Sequence, residues 1–143
     1  MLELIRIIIT GVFIVIEGIR DLRQRKISMG MVTFYGALAI FIQAVNIKEQ
    51  WFSILGGILV GVFLLLLSKI TRGKIGEGDA WILIVTGISL GFRNNLILLL
   101  LSLWVASVVS IFLLLFQKVK RKTEMPFVFF MIPGYIWLLL IVR

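Results

Sequence analysis

The chain contains no cysteine and no histidine. Without cysteine there is no disulfide, no thiolate nucleophile and no Cys-built metal centre. Without histidine there is no Ser-His-Asp triad, no HExxH zinc site and no imidazole to act as a general base near neutral pH. Proline occurs only twice, and charged residues make up 15% of the 143 positions, against roughly 25% in an ordinary soluble domain. Apolar residues fill the space instead. They reach 61%, or about 70% with the 13 glycines, where about 45–50% is usual. A soluble domain of this size has too much surface to hide that area, and disordered chains are poor in it. The composition therefore reads as an all-α membrane protein. Any acid–base chemistry must come from its 7 acidic residues, its basic side chains, hydroxyls or backbone.

Six apolar segments stand out: Ile7–Gly18, Met29–Val45, Trp51–Ser68, Ala80–Phe92, Leu96–Phe116 and Pro126–Val142. The second, third, fifth and sixth approach the length of about 20 residues that a spanning helix needs. The first and fourth borrow from their flanks, and the fourth, at about 20 Å, starts inside the membrane boundary. The connections are short and polar: Asp21–Ser28, Ile47–Gln50, Lys69–Gly78, Arg93–Asn95 and Gln117–Met125. None is long enough to separate domains, so residues 1–143 read as one transmembrane domain of about six helices.

The net charge of +8 comes from short clusters between apolar runs. That pattern points to membrane topology and anionic lipid rather than to nucleic acid. Helix ends alternate sides. One side then holds Arg20, Arg23, Arg25, Lys26, Lys69, Arg72, Lys74, Lys118, Lys120, Arg121 and Lys122, and the other only Arg6, Lys48, Arg93 and Arg143. The rich side is expected to be cytoplasmic, with both termini outside. A basic cluster that follows the first apolar run, with no A-x-A site behind it, argues against a cleaved signal peptide.

Three acids matter. Asp21 closes the first apolar segment inside Ile-Arg-Asp-Leu-Arg-Gln-Arg-Lys-Ile (Ile19–Ile27), and alone it reads as a solvated carboxylate among arginines. Asp79 ends Ile-Gly-Glu-Gly-Asp (Ile75–Asp79), and alone it reads as a helix N-cap. Glu17 lies one turn before Asp21 on the same face and is expected to line the bundle interior or to meet a basic partner. The topology, however, puts Asp21 and Asp79 at the same end of the bundle. Carboxylates near hydrocarbon are costly and by default functional candidates. Two that share a site cannot both ionise easily, so one keeps a proton while the other stays charged. That arrangement suits peptide hydrolysis, in which the ionised group activates water and the neutral one hydrogen-bonds the scissile carbonyl. The carboxyl groups are expected about 3–8 Å apart, bridged by one water. Gly76 and Gly78 would let an extended peptide approach the backbone.

Gly76-Glu77-Gly78-Asp79 resembles the Gly-x-Gly-Asp motif of intramembrane aspartyl proteases. Asp21-Leu22-Arg23-Gln24-Arg25-Lys26-Ile27 resembles the other aspartate motif of the type IV prepilin peptidases, an Asp with a basic stretch and then Ile-Pro-Asn. The order of the motifs and the six-segment layout are similar to that family's catalytic core, and Pro126-Phe127 resembles the start of its late Pro-Phe-Gly-Pro segment. The chain departs from it at Ser28-Met29, where Pro-Asn is common, and at Val128-Phe129, where Gly-Pro stands. The resemblance implies a multi-pass peptidase of a prokaryotic plasma membrane, in a short form without the N-terminal cysteine-bearing methyltransferase region. It implies Asp21 and Asp79 as the catalytic pair at the cytoplasmic side, and no cofactor or metal. Gly76, Gly78, Arg23 and Ile27 would support the loops or bind substrate. The substrates would be membrane-inserted prepilin-like precursors with a short basic leader, against which Glu77 or Glu124 offsets the basic loops.

The rival readings are an inactive relative and a non-enzymatic transporter or assembly subunit with intramembrane carboxylates. A transporter tends to place its charges at mid-membrane within repeats; here the acids gather at one interface and no repeat is visible. Trp51 and Trp81 read as interfacial anchors, Trp104 and Trp137 as packing or lipid-facing residues, and Gly56-Gly57 with Gly61 as a close-packing face.

Overall fold

The computed structural model describes residues 2–44, 47–72, 76–116 and 126–142, and every regular element in them is helical. The helices are α1 (Leu2–Gln24), α2 (Met29–Ala44), α3 (Ile47–Ile70), α4 (Glu77–Leu115) and α5 (Phe127–Val142). By length and composition, α3 (over Trp51–Ile70) and α4 can each cross a membrane, while α2 and α5 are apolar but 16 residues long. Large side chains such as Phe34, Phe41, Phe52, Phe63 and Leu140 point outward, so the bundle presents an apolar exterior. Water would not tolerate that surface; hydrocarbon would.

Five helices carry the six apolar segments because α4 holds two of them. Its 39 residues would run about 58 Å if straight, roughly twice a bilayer core. They do not run straight. Gly91 has φ 74° and ψ 179°, a conformation essentially reserved for glycine. Beyond it the chain folds back. Asn95 Nδ2 donates to Leu83 O at 2.9 Å, and Thr86 Oγ1 donates to Asn95 Oδ1 at 2.9 Å. In a straight helix residues 86 and 95 would stand about 14 Å apart. Residues 77–90 and 92–115 are therefore two limbs of a hairpin. The connection expected at Arg93–Asn95 is moved: the turn is a single glycine, and Asn95 is helical and fully buried.

The first limb is the axis of the bundle. Ala80, Ile82, Leu83, Val85, Thr86, Gly87, Ile88 and Ser89 are all buried, so it is wrapped on most of its circumference, with Glu77 and Trp81 left exposed. α3 packs most closely against α4. A Cβ on Gly57 would strike the backbone of Gly87, one on Gly87 the backbone of Gly57, and one on Gly61 the backbone of Ile84. The expected close-packing face thus lets two helix backbones touch. The second limb buries only Asn95, Leu98 and Ser102, a single stripe. α5 packs on α1 and α4, and α2 lies mainly on α4. Trp104 and Trp137 meet edge to face, their centroids 5.3 Å apart, and both are largely exposed.

Two further boundaries differ from the apolar-run reading. Residues 47–50 are the first turn of α3 rather than a loop, since Lys, Glu and Gln are good helix formers. α1 continues through Asp21 to Gln24, leaving a short loop closed by Arg25 in the left-handed conformation at φ 50°. The connection at Gln117–Met125, with Lys118, Lys120, Arg121, Lys122 and Glu124, lies outside the described residues, as do Lys74 and Arg143.

Candidate active site

Asp21 sits three residues before the end of α1 and is almost fully buried, 8% exposed. Its Oδ2 accepts the N–H of Val128 at 3.0 Å, and the backbone of Phe129 also hydrogen-bonds to it. Those amides open α5, where the first N–H groups of any helix lack partners in their own ladder. Asp21 therefore caps α5 from another helix, at the positive end of its dipole. Arg25, one turn further on, is the cation that acts on this carboxylate.

Asp79 occupies the first turn of α4 and is half-buried. It is not the N-cap: Gly76 takes that place, with φ −61° and ψ 121°, and no side chain caps it. Asp79 is the third residue of the helix and its carboxylate folds back over Gly76. A Cβ on Gly76 would stand 2.7 Å from Asp79 Oδ2. Gly78 meets a different neighbour. A Cβ there would collide with Ile27, lying 3.1 Å from its Cβ. Each glycine of the Gly-x-Gly-Asp run thus clears space for one specific side chain.

The contact between Ile27 and Gly78 brings the two motifs together. The loop after Asp21 rests on the first turn of α4, and Asp21 and Asp79 come within electrostatic range of each other. Among the described residues, Asp21 is the charged group whose field acts on Asp79. Of the residues expected here, Asp21, Asp79, Gly76, Gly78 and Ile27 gather at one end of the bundle. Arg23 does not join them; it is exposed in the last turn of α1. Glu77 is also exposed. Glu17 lies in the interior as expected, but its partner is the Ser28 N–H at 3.2 Å rather than a cation.

No cluster of three or more potential metal ligands occurs among the described residues. The partners that sequence reasoning missed are the amides of Val128 and Phe129. Pro126 just before α5 was the available signal for the amides, since proline marks helix starts.

The sequence profile of the type IV leader peptidase family matches residues 7–112. The chain belongs to the type IV leader peptidase family. Searches of curated proteins and of solved structures returned no significant match. The matched stretch contains both aspartates and the Gly91 turn, and it ends within the second limb of α4. In this leader peptidase family member, α5, which holds Asp21 through its first amides, lies beyond the matched residues.

Proposed function

We propose that the chain is an aspartic endopeptidase that removes the short basic leader from membrane-inserted, prepilin-like precursors. The observation that carries this reading is the placement of Asp21 and Asp79 at one end of the bundle, within electrostatic range of each other, in a chain of a leader peptidase family.

The chemistry follows from that pair. One carboxylate, ionised, takes a proton from a water held between the two. The other, protonated, donates a hydrogen bond to the scissile carbonyl oxygen. Attack forms a tetrahedral intermediate, and its collapse passes a proton to the leaving amine. The amide donors from α5 keep Asp21 in a single orientation for this exchange.

Six spans accommodate this chemistry: α1, α2, α3, the two limbs of α4, and α5. With the basic clusters inside, both termini are outside and the aspartates face the cytoplasmic boundary of a plasma membrane. There a precursor presents the junction between its basic leader and its apolar helix. The test is cleavage by the purified chain in liposomes, scored as release of the leader from a pilin-like precursor, with Asp21→Asn and Asp79→Asn beside it. Release by the wild type and by neither variant is the expected result. Release by either variant removes the aspartate pair from the chemistry. Single cysteines at Lys48 and Lys120 test the topology and are expected to label from opposite faces.

A further inference from the structure

Glu17 is a buried acid to which the proposed chemistry gives no task. It is 0% exposed and lies one turn ahead of Asp21 on α1. Its Oε2 accepts the N–H of Ser28 at 3.2 Å, while its Oε1 is buried with no partner among the described residues. Burying a carboxylate in this way is costly, so the contact it makes must be specific. Ser28 in turn starts α2. Its Oγ accepts the Met31 N–H at 3.4 Å, and its carbonyl accepts the Val32 N–H at 3.0 Å. The residue before it, Ile27, rests on Gly78, next to Asp79. An unbroken line of contacts therefore runs from Glu17 through Ser28 and Ile27 to the turn that carries Asp79.

We propose that Glu17 is a positioning residue: by holding the Ser28 N–H it clamps the α1–α2 loop against Gly78, and so sets the place of Asp79 relative to Asp21. The rate test of this clamp rests on the peptidase reading; the clamp itself does not. A proline at position 28 would be a different way to hold this loop. Proline has no N–H to hold and stiffens a loop through its ring instead. In this chain a hydrogen bond to Glu17 supplies that stiffness. Among the described non-glycine residues only Arg25 and Arg72 have positive φ, so the backbone of Ser28 lies on the side that proline requires.

The experiment is a rescue in the full chain. Glu17→Leu removes the acceptor, and Ser28→Pro removes the need for one. Two readouts are taken on the liposome-embedded protein: kcat and KM for leader release, and the distance distribution between spin labels on cysteines placed at the exposed Lys26 and Glu77. The natural chain has no cysteine, so these labels are unique. Glu17→Leu is expected to lower kcat about 10- to 100-fold with KM within about twofold, and to broaden the distance distribution. Adding Ser28→Pro is expected to restore both. Glu17→Gln keeps an oxygen for the Ser28 N–H and is expected to stay within about threefold of the wild type.

A Glu17→Leu protein with wild-type kcat and a narrow distribution overturns the proposal. So does a double variant that remains as slow and as broad as Glu17→Leu. Where Glu17→Leu fails to fold, Glu17→Gln decides: retained rate supports the clamp, and a loss of about tenfold or more overturns it. A wild type that releases no leader from any precursor defeats the peptidase reading, and the label distances then judge the clamp alone.

Discussion

Two groups of buried polar residues lie at opposite ends of the bundle, and they are built differently. At the end away from Asp79, hydroxyls and amides pair with one another. Thr10 Oγ1 donates to Arg6 O at 2.7 Å, so its oxygen is free to accept from Tyr35 OH at 2.8 Å, and Tyr35 OH then accepts from Ser89 Oγ at 2.6 Å. One proton per hydroxyl fixes the direction of that chain. Midway along the bundle, Asn95 joins both limbs of α4 to α3 through Thr86, Leu83 O and Gly57 O. Tyr135 OH donates to Ile7 O, and Gln43 Nε2 to Ile88 O. These groups are neutral, and among the described residues at this end Arg6 Nε, at the rim, is the buried polar atom without a partner. The other end gathers carboxylates: Asp21, Asp79 and Glu17, with Glu17 Oε1 and Arg20 Nε buried without partners among the described residues and two acids within each other's field. Satisfied neutral networks hold helices together. Crowded charges destabilise, and they persist where chemistry needs them.

The sharpest way to break this contrast is to neutralise the acids. Asp21→Asn and Asp79→Asn should each abolish leader release, and the double variant should be no worse, because the two act as a unit. Folding should survive in both. Asn retains an oxygen for the Val128 N–H, and Asp79 is not the cap of α4. Unaltered melting in detergent alongside lost cleavage is the expected pair of results; a collapse of melting would assign the acids to structure instead.

Next in size is the room that the glycines make. Gly78→Val drives a branched side chain into Ile27, and Gly76→Ala crowds the Asp79 carboxylate. Each should lower kcat by about 10- to 100-fold, because displacing a reacting group by about 1 Å costs that much. Steady-state kinetics should show KM changed far less.

In the neutral networks the effects should reverse. Asn95→Ala removes three hydrogen bonds and should destabilise the fold by about 2–3 kcal/mol, while folded protein keeps its rate. Tyr35→Phe is the mildest change. Thr10 and Ser89 lose a shared partner, at about 1 kcal/mol, and the stacking on Phe13 at 4.1 Å is kept. Equilibrium unfolding in detergent measures both. A rate loss in Tyr35→Phe larger than its stability loss would join the two ends into one functional network.

Much of this was legible in the residues. Apolar runs announce the helices because a membrane-sized stretch without charge has few other uses. Gly56-Gly57 and Gly61 announce a close contact because backbones approach only where side chains are missing. The two aspartate motifs mark a candidate site because carboxylates beside hydrocarbon need a reason. Other features were not legible. The reading of Arg93–Asn95 as a connection failed because polarity marks loops only on average, and here Gly91 turns the chain and Asn95 goes inside. Asp79 as a cap failed because helix starts are defined by backbone angles, and Gly76 holds them.

Sequence by itself determined the helical class, the apolar exterior and the identity of the acids, since each depends on composition and short-range periodicity. Only the tertiary structure decided what each acid touches. Asp21 meets the first amides of α5, 107 positions away, and Ile27 lands on Gly78 across the bundle. Such contacts are set by how helices pack, through ridges, missing side chains and unpaired helix ends. No local pattern encodes which helix end will lie beside which carboxylate.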